Sequence, residues 1–509
     1  MQREGEAEAY ILYRFAGRLT LPLLNKLHFR SRGYGMLGIL IKKELLNNLV
    51  SFRFILIFLL CCTLIVVSAY TMRGKYDSRV KEYSAAVNIH KQELAKAKGA
   101  SGLNQAAISG YKLDKPPTPL SVIAEGIEGA AGKFATVNIL STPALEGGAG
   151  SEPMFIYFGT LDMVYIVMVV LSLVAILLTY DAISGEREQG TLKLALSNSV
   201  PRHIVLLSKC IGGYITLLLP FLVPTLFGLL ILTTSGMINF TGDDWARLCL
   251  ILLASILYIG IFMMLGLLVS SRTNRSTTSL MMLLFIWVVI VLAVPKVSVI
   301  VAGKLYHVPS MQEVQAEKDT AMAQIMKEGQ EKTQKYVQEH IQQVQSQQMQ
   351  LKELQDGIAR IQEDMYTDIS KKQGDIQAEY ERKKVGQFRL AANISRISPA
   401  SVYTYAATTL ARTGLDRQER FLAAARAYQV GFVQYFNDVL RELIKQQIGV
   451  SKPVEDVKFD LNKLPVLEFR EANLSESWNL VWVDFLILFL LATCFFMIAY
   501  ISFVRGDVQ

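Results

Sequence analysis

The chain is poor in the residues that build covalent staples and catalytic centres. Cysteine occurs five times in 509 residues, at Cys61, Cys62, Cys210, Cys249 and Cys494. All five fall in or beside apolar runs, so the large polar segments have no disulfide framework available. The five histidines, His28, His90, His203, His307 and His340, are scattered. No pair has metal-ligand spacing, and no metal site is expected. A phosphate-cradling loop is also missing. The nearest string, Gly126–Lys133 (GIEGAAGK), has neither the required glycine spacing nor a hydroxyl after Lys133. Neither G-x-S-x-G nor H-E-x-x-H occurs. The apolar runs hold no Ser/His or paired-Asp constellation. The chain therefore reads as non-enzymatic and without a cofactor of its own.

What it has in abundance is apolar sequence. Hydrophobic residues make up 51% of it, and the mean hydropathy is +0.31. Those values point to a polytopic membrane protein. The net charge of +8 invites a nucleic-acid partner. Much of the short-loop Lys and Arg flanks apolar runs, however, and membrane topology accounts for it without nucleic acid. Six runs are long enough to span a bilayer, which needs about 20 apolar residues. They cover residues 54–71, 155–180, 204–233, 248–270, 280–302 and 480–503. The expected fold class is an all-α polytopic membrane protein with two large, mainly helical insertions, at 72–154 and 303–477.

Ahead of the first run, within 1–53, Leu37, Ile41, Leu45 and Leu49 recur every four residues, with Lys42, Lys43 and Asn47 opposite. This spacing predicts an amphipathic elbow helix lying in the membrane interface. The alternative is a simple extension of the first span. No signal-peptide pattern precedes it, because Arg14, Arg18 and Lys26 interrupt the first apolar stretch. Lys42, Lys43, Arg53, Arg187, Lys193, Arg202, Arg272, Arg275 and Arg505 all fall on one side of the six-span topology. The positive-inside rule puts that side, with both termini, in the cytoplasm. Trp245, Trp478 and Trp482 then sit at the outer interface, as do Asp162 and Asp484, while Lys296 snorkels outward.

Both insertions are expected outside. The first opens with a helix over Ser78–Lys98, and Pro116, Pro117 and Pro119 then forbid regular helix. The second has no proline between Gln312 and Ile397. There Val337, Val344, Leu351, Ile358 and Met365 repeat every seven residues, with Leu354 and Ile361 between them. The repeat predicts a partial coiled-coil seam, against a single solvated helix. Pro399 is expected to break that helix and Ser401 to cap the next. Phe421, Ala424, Tyr428, Phe432 and Phe436 are spaced to form a packed helix face in an external core.

The loop at 181–203 holds the run Gly185-Glu186-Arg187-Glu188-Gln189-Gly190-Thr191-Leu192, which no lipid-facing helix would hold. With Asp181 and Ser184 before it and Lys209 after it, this stretch resembles the cytoplasmic loop between the second and third spans of ABC-2 type permeases. The resemblance implies that Gly185, Glu186, Arg187, Glu188, Gly190, Thr191 and Leu192 contact a separate nucleotide-binding subunit. Glu186 and Glu188 are expected to pair with basic groups on that partner. Arg272 and Arg275, between the fourth and fifth spans, are secondary contact candidates. The S-P-A-S, L-A-R-T-G and P-T-P-L elements resemble a subgroup with large periplasmic insertions, related to permeases of gliding motility and copper-enzyme maturation.

The expected function is therefore a permease subunit in the bacterial inner membrane, exporting or extruding a substrate. ATP would be bound on an ATPase partner, a second permease subunit would complete the pair, and a periplasmic partner is conceivable. The alternative is a mechanotransmission permease that moves its external helices or a partner and passes no substrate across the bilayer. A passive scaffold would explain the heptads but not the loop.

Overall fold

The computed structural model describes residues 34–96, 105, 108–130, 132–139, 141–148, 161–197, 201–234, 236–345, 351–449 and 464–505. The expected N-terminal extension before residue 34, and the start of the expected second span at 155–160, lie outside the described residues. An elbow helix, Tyr34–Leu49, comes first. It is separate from the first span because Ser51 turns the chain. Its hydroxyl donates to the Asn48 carbonyl at 2.6 Å and accepts from the Phe54 N–H at 3.2 Å. The elbow packs along the helix Arg202–Thr233. Its Ile41 and Leu45 are half-buried, while Ile39, Val50 and the two lysines are exposed.

Among the described residues six helices are long and apolar enough to cross a membrane: Phe52–Lys96, Met163–Glu188, Arg202–Thr233, Gly242–Arg272, Ser276–Leu305 and Leu474–Arg505, here spans 1 to 6. Span 4 is the axis, packed on spans 2, 3, 5 and 6. At its crossing with span 2, Gly266 faces Thr179 so closely that any β-carbon would overlap the threonine side chain. Spans 1, 5 and 6 instead show outward rows of Leu, Ile, Val and Phe, as expected where lipid is the solvent.

Span 1 differs from the sequence-based expectation. It does not end near Tyr70 and restart at Ser78, because Phe52–Lys96 is one 45-residue helix. The Ala-, Glu- and Lys-rich stretch has high helix propensity, and nothing between Tyr70 and Ser78 breaks it. The first insertion also contains more than helix. Strand β1 (Tyr111–Asp114) pairs antiparallel with β2 (Phe134–Val137), in register from Tyr111↔Val137 to Asp114↔Phe134. Strand β3 (Leu145–Glu146) adds to β2. Between β1 and β2, Pro119 occupies the first turn of a short 3-10 helix, Pro119–Val122, whose Leu120 and Val122 are buried in the bundle core.

In the second insertion Met311–Gln345 and Leu351–Ser395 are two helices packed against each other. They run antiparallel: Lys318 bonds Gln377 at 2.6 Å, Met322 approaches Gln373, Gly329 faces Met365 and Gly357 faces Tyr336. The seven-residue repeat thus spans two helices that fold back on each other. A helix Leu415–Gly449 then lays Phe421, Ala425, Tyr428 and Phe432 on Leu113, Ala135 and Val137 of the sheet. The two insertions therefore share one apolar core. Ala425, not Ala424, carries the buried register. Arg417 reinforces the junction, bonding Glu471, Glu128 Oε1 at 2.9 Å and the Pro116 carbonyl at 2.7 Å.

Between these parts lies a wedge helix, Pro399–Leu410, packed on spans 4 and 6 with Ala400, Val402, Tyr403, Ala406, Ala407 and Leu410 fully buried. It begins at Pro399, with Ser398 as its cap accepting from the Ala400 N–H. Pro399 therefore starts a helix rather than merely breaking one, and Ser401 is not the cap. Proline suits the first turn because no intrahelical partner is lost there.

Candidate functional site

The charged run at the end of span 2 folds as two short helices, Ser184–Glu188, which closes the span, and Thr191–Ser197, which follows it. Gly190 joins them at φ +74, a left-handed conformation that favours glycine. The Thr191 hydroxyl closes the turn on the Glu186 carbonyl at 3.2 Å. The base of the loop is tied to span 4, where Ser270 Oγ accepts the backbone N–H groups of Ile183 and Ser184, each at 3.0 Å. Asp181 pairs with Arg53 at the start of span 1, at 2.6 Å.

The three charged residues of the run all bind within the chain. Arg187 donates to the Ser271 and Thr273 carbonyls at 3.1 and 2.9 Å and to Asn274 Oδ1 at 3.2 Å. These are acceptors at the C-terminal end of span 4, where a cation matches the helix dipole. Glu188 Oε2 accepts from the Ser276 N–H at 3.1 Å and from its hydroxyl at 3.0 Å. It thereby caps the N-terminus of span 5, where an anion is favoured. Glu186 lies 2.7 Å from Lys209 Nζ, and the same ammonium reaches Glu44 of the elbow at 3.3 Å. Both carboxylates already have partners inside the chain, because the ends of spans 3, 4 and 5 converge on the loop.

The outward surface includes Glu188. Leu192 is completely buried, while Glu188, Gln189, Gly190, Thr191 and Lys193 are exposed and Leu194 is 68% exposed. Gly185 is confined between Asp181 and Ser276, so its lack of a side chain lets the loop approach span 5. Arg272 and Arg275 are exposed on the turn that Arg187 and Glu188 grip. Arg272 Nε reaches Ser502 Oγ at 3.4 Å. Sequence reasoning picked out the loop and Lys209 but missed Glu44, Arg53, Ser270 and Ser276. A polar residue at a span end beside a charged loop is the signal that would have found them.

At the opposite end of the bundle, Arg247 is fully buried on span 4. It bonds Asp243 Oδ2, Ser477 Oγ and the carbonyls of Leu410 and Ala472. Arg412, at φ +58, bonds Asp243 and Asp244. The L-A-R-T-G element is thus a joint between span 4 and the second insertion. Asp162 caps span 2 and accepts the Glu125 N–H at 2.8 Å, and Asp484 pairs with Arg396 at 2.7 Å. Both acids have structural partners.

Six spans, a separate elbow and a loop clamped to four of the spans define a polytopic membrane protein. The sequence profile of the family described as ABC-2 family transporter protein matches residues 39–508. The chain belongs to that family and is a membrane-spanning permease subunit of an ABC transporter. A comparison with curated proteins gave no match.

Proposed function

We infer that the chain is one of two permease subunits of a bacterial inner-membrane exporter, driven by separate ATPase subunits that dock on the loop at 181–203. The observation that carries this reading is the division of labour within the loop. Glu186, Arg187 and Leu192 bind inward, Glu188 holds Ser276 from an exposed position, and Gly190, Thr191, Lys193 and Leu194 are presented outward on and beside a short helix. The outward residues make the contact, with Arg272 and Arg275 beside them. The inward residues and Glu188 pass its movement to spans 3, 4 and 5. The loop and both termini face the cytoplasm, and both insertions face outward. ATP is bound by the partner and not by this chain.

A second reading, mechanotransmission, is favoured by the shared core of the insertions and their buried ionic joints to span 4. A body fused in that way is suited to being moved as a unit. The test of docking is Lys193→Glu with Leu194→Asp. Both side chains are exposed, so the fold should lose no more than about 0.5 kcal/mol. The ATPase subunit should be lost on affinity purification. Full retention of that subunit, with full stimulated hydrolysis, would rule out the loop as the contact.

A further inference from the structure

Spans 2 and 5 are the two whose ends are joined by Glu188 and Ser276, and each is interrupted by a π-turn. In span 2 it covers Ile166–Leu171, and in span 5 Val288–Ala293. A π-turn disturbs the regular α ladder of hydrogen bonds and is often found at functional positions in helices. Here side chains from neighbouring elements bind carbonyls within both turns. The Met168 carbonyl accepts from Tyr258 Oη of span 4 at 2.8 Å and from Ser172 Oγ at 2.6 Å. The Ile290 carbonyl accepts from Ser398 Oγ, the cap of the wedge helix, at 2.6 Å. Trp287 Nε1 donates to Ser172 Oγ at 2.8 Å, so the residues that flank the two turns are bridged. The wedge helix meets the span 2 turn as well. Tyr403 stacks on Tyr258 with ring centroids 4.8 Å apart and shares a 2.9 Å hydrogen bond with Ser255, and Thr404 Oγ1 lies 3.4 Å from Met168 Sδ.

We propose that the paired π-turns are a buried hinge through which displacement of the loop moves the wedge helix, and with it the second insertion. This rests on the reading that an ATPase subunit drives the loop. Each turn has two arrangements open to it. In one, the freed carbonyl is held by a hydroxyl from a neighbouring element; in the other, the helix is regular and the hydroxyl is released. Shifting spans 2 and 5 at their loop ends changes which arrangement is favoured. Because Ser398 precedes the wedge helix immediately, and Arg396 is anchored on Asp484 of span 6, the wedge turns against span 6 when the Ile290 bond changes. Arg247 and Arg412 then carry the motion into the insertions.

The test uses the full complex with its ATPase subunit. All five native cysteines are replaced, and spin labels are placed at the exposed positions Thr278 and Ala427. In the parent protein, ATP with vanadate should shift the distance between the labels. Ser398→Ala and Tyr258→Phe each delete one hydroxyl from a turn carbonyl. Each should remove more than half of that shift, with the ATPase subunit still bound and hydrolysing. If Ser398→Ala fails to fold, Tyr258→Phe carries the test alone. A shift unchanged in the variants, or absent in the parent, overturns the hinge while leaving docking intact. Failure of the ATPase subunit to bind the parent sinks the docking reading and the hinge together.

Discussion

Arg187 and Glu188 are neighbours in sequence and bind opposite helix ends. The guanidinium holds the last carbonyls of span 4, and the carboxylate holds the first N–H of span 5. Each charge meets the dipole end of opposite sign. Reversing their order would set both against the dipoles. The pair therefore staples the turn between spans 4 and 5 to the end of span 2.

Arg187→Ala should release that turn locally. Hydrogen bonds to a charged group are worth about 1.5–3 kcal/mol. Hydrogen exchange at the amides of Thr273–Ser276 should accelerate accordingly, with little change in the spans. Unchanged exchange there would mean that the guanidinium does not hold the turn.

Lys209 and Glu186 should behave as a coupled pair. Lys209 is 5% exposed and sits between two carboxylates. Lys209→Met alone leaves both carboxylates without their cation and should lower the thermal midpoint of the detergent-solubilised chain. The double variant with Glu186→Gln should lose less than the sum of the singles, by about 0.5–3 kcal/mol. Strict additivity would show the contact to be energetically silent.

Within the insertions, buried and exposed ion pairs should differ sharply. Arg417→Leu leaves Glu471 without its cation and Glu128 with Lys115 alone, at 3.0 Å. Removing one partner of a buried pair costs about 3–5 kcal/mol. Lys133→Ala breaks a pair with Glu82 whose side chains are 67% and 59% exposed, and should have no measurable effect. Chemical denaturation followed by limited proteolysis of the insertions distinguishes the two.

Burial pushes the Asp416 carboxyl above its ordinary range, partly opposed by its backbone hydrogen bonds and Arg420. A carboxyl raised on folding contributes stability below its unfolded pKa, about 3.9, and loses that contribution as pH rises through the higher folded value. Asp416→Asn should therefore remove a decline in stability on going from acid to neutral pH. Thermal midpoints measured across that range should converge at low pH and separate above it. Curves that stay parallel would contradict the assignment.

Orientation is tested with single cysteines at Lys384 and Thr278 in a cysteine-free background. In spheroplasts, an impermeant thiol reagent should label the first and spare the second until the membrane is opened. The reverse pattern would show that the topology is inverted.

The six spans were legible because each holds a long apolar stretch that few other structures tolerate. The loop was legible because its charges interrupt those stretches. The wedge helix was not, for its sequence PASVYTYAATTL is too short to span and rich in small and hydroxyl residues. Its burial follows from the shape of its neighbours. Strands β1 and β2 are four residues each and pair across an intervening proline-rich stretch, so neither announces itself locally. The internal pairing of Glu186 and Glu188 was equally hidden. A carboxylate in a polar loop reads the same whether its cation lies on a partner or, like Lys209, 23 positions along the same chain.

Span 1 has a mechanical consequence of its own. At about 1.5 Å per residue its 45 residues form a rod of about 68 Å, more than twice the hydrocarbon thickness of about 30 Å. One end is fixed by Arg53 to Asp181. Toward the other, His90 meets Asp114 at 2.8 Å and Leu94 is buried. With its fulcrum in the bilayer, the arm beyond the membrane is the longer one. A small tilt imposed at Asp181 would sweep the β1 end through a larger arc in the opposite direction, so the rod multiplies displacement.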